Sequence, residues 1–89
     1  MTGYDFERML VTLLAEVIDA KGLDHKPIAN QAWPHKKDAA TRWRGIRNGK
    51  GEKIPGLLIR DAVDLCNAIG VSFVEMCGRS IDRLSRKKE

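Results

Sequence analysis

Residues 24–49 read DHKPIANQAWPHKKDAATRWRGIRNG, and the spacing of apolar and charged positions within them decides how the chain folds. Asp24 is a residue type that caps helix starts, and Pro27 falls in the first turn beyond it, where a missing N–H would go unpaired anyway. Ile28, Ala29, Ala32 and Trp33 then share one side of a short helix. That helix has to stop at Trp33-Pro34, because a proline ring disfavours helical geometry in the residue before it. The spacing predicts a tight corner of about two or three residues and a further helix opening near His35 or Lys36. With Trp43 at the centre of its inward face, Ala39, Ala40, Ile46 and the stem of Arg47 fall on the same side. Lys37, Asp38, Thr41, Arg42, Arg44, Gly45 and Asn48 fall on the flanks or the back, towards solvent. Ile28, Ala29, Trp33, Ala39, Trp43 and Ile46 are therefore the candidate core anchors of this pair of helices.

The same stretch runs into the most basic part of the chain. Residues 36–53 carry seven Lys or Arg against Asp38 and Glu52, a local +5 that exceeds the whole-chain +4. Basicity concentrated on one segment points to a polyanionic partner.

Helix patterns fill the rest. Phe6, Met9, Leu10, Leu13, Leu14, Val17 and Ile18 recur at spacings of three and four, which makes a helix ended by Gly22. The segment NGKGEKIPG, 48–56, is polar and rich in helix breakers. A fourth helix spans about Leu57 to Ile69, with Leu58, Ala62, Leu65, Cys66 and Ile69 expected inside, and Gly70 closes it. Ser72-Phe-Val-Glu75 has the form of a capping box and opens a fifth helix towards Leu84. The reading is an all-α, five-helix bundle in one domain, residues 1–84, with a charged and frayed tail at 85–89.

Several function classes are disfavoured. No apolar run approaches the roughly 20 residues of a membrane span, and the acidic start MTGYDFERM lacks the positive charge of a signal peptide. A cytoplasmic protein is expected. Cys66 and Cys77 read as reduced packing residues, and with His25 and His35 they form no metal-ligand spacing. The run GIRNGK is one residue short of a phosphate-binding loop, continues into Gly51 rather than Ser or Thr, and follows a helix pattern rather than a strand. No nucleophile and base are grouped for catalysis, so the chain reads as a non-enzyme with neither cofactor nor metal. Both tryptophans are accounted for by packing, which leaves few exposed rings for a single-stranded RNA reader.

Two short helices joined by a corner, the second basic outside and anchored by a tryptophan, make a helix-turn-helix. With KGLDHKPIA (21–29), WRGIRNG (43–49) and DAVDLCNAIGVSFVEM (61–76) in this order, residues 6–77 resemble the Cro and lambda-repressor type of helix-turn-helix domain, the XRE family. Two departures stand out: His25 occupies a position where the family often has Gln, and Trp33-Pro34 replace the usual small residue at the turn. The resemblance implies a lambda-repressor-like five-helix fold that binds operator DNA, commonly as a homodimer, and represses or controls transcription. It places residues of about 36–47 in the major groove of double-stranded DNA. Lys36, Lys37, Asp38, Thr41, Arg42 and Arg44 are then the base-reading candidates, since their donors and acceptors match base edges. His25, Arg47, Asn48, Lys50 and Lys53 are the candidates for contact with phosphates. The alternative is an antitoxin or an accessory phage regulator acting mainly through a protein partner such as a toxin. Phe73, Val74 and Ile81 are candidates for an exposed apolar interface, with Phe73 the most readily buried within the monomer.

Overall fold

Thr2 begins the first helix by a reciprocal exchange. Its hydroxyl accepts from the Asp5 backbone N–H at 3.1 Å, and the Asp5 carboxylate accepts from the Thr2 N–H at 3.2 Å. This capping box satisfies two donors that the helix start leaves open. In the computed structural model, which describes residues 1–49 and 56–87 (Lys87 in its backbone only), helix α1 spans Gly3–Ala20. It ends in a Schellman turn: Gly22 takes a φ of +70°, and the Gly22 and Leu23 N–H groups return to the Asp19 and Ile18 carbonyls at 3.0 Å.

Helix α2, His25–Ala32, and helix α3, Ala39–Asn48, follow. Asp24 stands at the start of α2 in extended backbone, without a side-chain capping bond. The connection is not a corner of two or three residues. Residues 33–38 separate the two helices, and α3 opens at Ala39 rather than at His35 or Lys36. The reason lies in Trp33, whose φ and ψ of −127° and 64° leave the helix so that its fully buried indole can enter the core. A turn then closes from the Lys36 N–H to the Trp33 carbonyl at 3.0 Å.

Helix α4 spans Ile59–Ile69 and helix α5 Phe73–Lys87. Between them Gly70 takes a φ of +88°, and the Gly70 and Val71 N–H groups both return to the Cys66 carbonyl. The Ser72 hydroxyl accepts from the Glu75 N–H at 3.3 Å at the head of α5. Two expectations are corrected here. Leu58 precedes α4 and is half exposed while Leu57 packs against the core, and α5 continues through residues 85–87, so helix extends into the supposed tail.

All five helices enclose one core, and no strand occurs among the described residues. Leu10, Leu14 and Ile18 of α1 meet Trp43 and Ile46 of α3, Leu65 and Cys66 of α4, and Met76 of α5. Trp33 meets Trp43 edge to face, with ring centroids 6.4 Å apart at 71°, the arrangement favoured by aromatic quadrupoles. A Cα radius of gyration of 12.6 Å sits close to the roughly 12 Å expected for a folded chain of this length.

Burial gives one core residue a pH signature. Burial first, and then the nearby Cys77, pushes the Cys66 thiol up from 9.0 to about 11. The unfolded chain loses that proton near 9 while the folded chain keeps it. The thiol's contribution is therefore complete below pH 9 and is lost as pH rises towards about 11. Urea unfolding of the native chain and of Cys66→Ala is expected to show a stability difference that shrinks across this window. A constant difference would mean that the thiol is solvated.

Candidate nucleic-acid interface

α3 is fixed from three sides. From α1, the Arg8 guanidinium donates to the Ile46 carbonyl at 2.7 Å and to the Arg47 carbonyl at 3.2 Å. This places a cation on the negative end of the α3 dipole and satisfies carbonyls that the last turn leaves open. From α2, His25 Nδ1 accepts from the Trp43 indole N–H at 3.0 Å. An indole can only donate, so the His25 proton resides on Nε2, which donates to Asp19 Oδ1 at 2.8 Å. From α4, Asp61 reaches the N-terminal half of α3.

Asp61 is 3% exposed and organises the connection before α3. Its Oδ2 lies 3.1 Å from Arg42 Nη2 and 3.7 Å from Lys36 Nζ, and its backbone carbonyl accepts from the Trp33 indole N–H at 3.3 Å. The Arg42 guanidinium also lies over the Trp33 ring, 6.0 Å from its centroid. A buried carboxylate needs such partners, because leaving it unpaired in the interior is costly.

These contacts involve four of the candidate residues. Lys36 and Arg42 both pair with Asp61 on α4. Both ring nitrogens of His25 are engaged within the chain. The Arg47 guanidinium lies over the Trp43 ring, 5.7 Å from its centroid. Desolvation lowers its pKa from the ordinary value, with Asp19 opposing the shift and Arg44 adding to it. Lys50 and Lys53 lie outside the described residues.

What remains on the open side of α3 is a stripe. Thr41, Arg44, Gly45 and Asn48 are exposed at positions i, i+3, i+4 and i+7, and with Gly49 they line a shallow open depression. Lys37 and Asp38 are exposed immediately before the helix, and Lys26 is exposed on α2. The opposite side of α3 holds Ala39, Trp43 and Ile46 at 1%, 0% and 0% exposure, with Ile28, Ala29 and Trp33 buried beneath. The sequence reading missed Arg8 and Asp61. Asp61 did leave a signal, for it sits four residues before Leu65 on the apolar stripe of α4.

Comparison with protein-family models, with curated proteins and with solved structures found no match. The described residues form an all-helical domain of five helices, in which α3 presents Thr41, Arg44, Gly45 and Asn48 on an exposed polar face. Among the described residues no helix is long and apolar enough to cross a membrane, and no group of three His, Cys, Asp or Glu is placed to hold a metal ion.

Proposed function

We propose that this chain is a sequence-specific double-stranded DNA-binding regulator, a small Cro-like repressor of the helix-turn-helix kind, with the outward stripe of α3 entering the major groove. The observation that carries this reading is Gly45. An interior helical glycine costs about 1 kcal/mol relative to alanine, and a Cβ at Gly45 would meet nothing within 4 Å. Packing among the described residues does not require the glycine. Close approach of a duplex to the helix backbone would make use of it.

The neighbours of Gly45 suit a duplex. Arginine matches the acceptor pair of guanine, asparagine the acceptor and donor of adenine, and threonine either base type; Arg44, Asn48 and Thr41 stand on the same stripe. The base-reading set thus narrows to Lys37, Asp38, Thr41 and Arg44, joined by Asn48. The connection of residues 33–38 is longer than the three or four residues usual between such helices. Trp33, Lys36 and Arg42 tie it to α4 through Asp61.

Gly45→Ala separates stability from binding. It is expected to raise the unfolding free energy by about 0.5–1 kcal/mol and to weaken affinity for a selected duplex about tenfold or more. Chemical unfolding and fluorescence anisotropy measure the two quantities. Unchanged affinity in a stabilised variant would remove the stripe from the interface.

A protein-partner reading, as for an antitoxin, is favoured by one other feature. Leu58 and Ile59 are 48% and 74% exposed beside a groove lined by Phe6, Leu57 and Phe73. Under that reading, Ile59→Glu abolishes regulation in the cell while leaving purified DNA binding intact.

A further inference from the structure

We infer that Asp61 is a positioning residue for the DNA interface proposed above, a reading on which this inference rests. Its carboxylate withholds the Lys36 and Arg42 cations from DNA phosphates and so limits the part of the affinity that is independent of sequence. Asp61 occupies an apolar position, four residues before Leu65 on the buried side of α4, and is 3% exposed. Exchanging a buried ion pair for apolar residues of similar volume is often neutral or stabilising, so packing alone does not call for a carboxylate there. The tie between the 33–38 connection and α4 does not need one either, because the Trp33 indole N–H donates to the Asp61 backbone carbonyl at 3.3 Å. What the carboxylate alone does is hold cations, Arg42 Nη2 at 3.1 Å and Lys36 Nζ at 3.7 Å.

Both cations border the exposed stripe. Arg42 directly follows exposed Thr41, and Lys36 directly precedes exposed Lys37. Their side chains keep 32% and 28% exposure, against 5% for that of Asp61. A phosphate would therefore compete with Asp61 for cations at the surface, while the carboxylate itself is sheltered. A partly buried pair is screened little by salt, whereas a phosphate contact fades as salt rises, and the competition favours Asp61. Arg42 is held in a second way, with its guanidinium over the Trp33 ring, 6.0 Å from the centroid. Phosphates are alike in every sequence, so each cation that reaches one tightens binding to all duplexes. Pairing inside the chain removes that contribution and leaves recognition to the side chains that meet base edges.

The test is the salt dependence of binding to a random-sequence duplex, followed by anisotropy from about 50 to about 200 mM salt. Asp61→Asn keeps the side-chain shape and the backbone carbonyl but loses the charge. Its slope is expected to be steeper by about 0.9 for each cation that reaches a phosphate, so that the loss of affinity over this range grows about 3.5-fold per cation. Adding Arg42→Ala should undo about one such step in the Asp61→Asn background and leave the native slope as it is. Asp64→Asn, which removes a carboxylate of the same helix outside these pairs, should leave the slope unchanged. A carboxylate that serves only the fold would instead give a weaker binder with no steeper slope and no dependence on Arg42. That result in a folded Asp61→Asn chain would overturn the inference. Lys36→Gln in the native chain, which leaves Arg42 on Asp61, tests it even where Asp61→Asn does not fold. An unchanged slope supports withholding, and a slope shallower by about 0.9 puts Lys36 on a phosphate and overturns it. A native chain that binds no duplex at any salt would end the reading of α3 and this inference together, whereas native binding with no steepening in Asp61→Asn would end the inference alone.

Discussion

Replacing Trp43 with alanine is expected to lower the unfolding free energy by about 3–5 kcal/mol, the range for truncating a buried tryptophan. The whole stability of a domain this small is on the order of 5–15 kcal/mol, so the variant should sit near the edge of folding. Trp43 has no solvent exposure, meets Trp33 edge to face and carries the Arg47 guanidinium over its ring. Its removal would also leave His25 Nδ1 without its donor. At about 4–8 °C per kcal/mol, the thermal midpoint by circular dichroism should fall by roughly 12 °C or more. Trp43→Phe keeps a ring in the core but loses the indole N–H, and should fall between the two. A shift of only a few degrees in Trp43→Ala would mean that the indole does not seat α3.

Affinity for duplex DNA is expected to drop roughly 40- to 500-fold between 50 and 200 mM salt, given about three to five neutralised phosphates and a slope near −0.9 for each. Lys26, Lys37 and Arg44 are exposed cations of α2, the connection and α3, with Lys50 and Lys53 as candidates from the sequence. The sharper result lies in the variants. Lys53→Ala, at a phosphate candidate from the sequence, should make the slope shallower by about 1. Lys36→Ala and Arg42→Ala should leave it unchanged, because both side chains are turned to Asp61, and should instead cost stability. Anisotropy titrations over a salt series supply the slopes, and a flat response would contradict a phosphate-dominated interface.

The division between Arg42 and Arg44 shows what one sequence can and cannot yield. Burial of Ile28, Ala29, Trp33, Ala39, Trp43 and Ile46 follows from helical period, a local property legible in any amphipathic stretch. The five-helix, all-α architecture followed in the same way, from breakers and caps such as Gly22, Gly70 and Ser72. The pairing of Arg42 with Asp61 was not legible because its partner lies 19 residues away on α4, and periodicity reports which face a residue occupies without saying which neighbour a long side chain meets. Arg8 was hidden for the same reason, since its acceptors are 38 and 39 residues distant. The length of the corner failed differently. Pro34 does stop α2, but the core's demand for the Trp33 indole and the Asp61 contacts, both tertiary, hold residues 33–38 out of helix.

Entry of the α3 stripe into the major groove is tested most directly by selection from a random duplex library by the purified chain, repeated with Arg44→Ala. An enriched motif with a strong guanine preference is expected, with loss of that one preference at about 1–3 kcal/mol in the variant. Enrichment of no motif, or a motif identical with and without the Arg44 side chain, would contradict it.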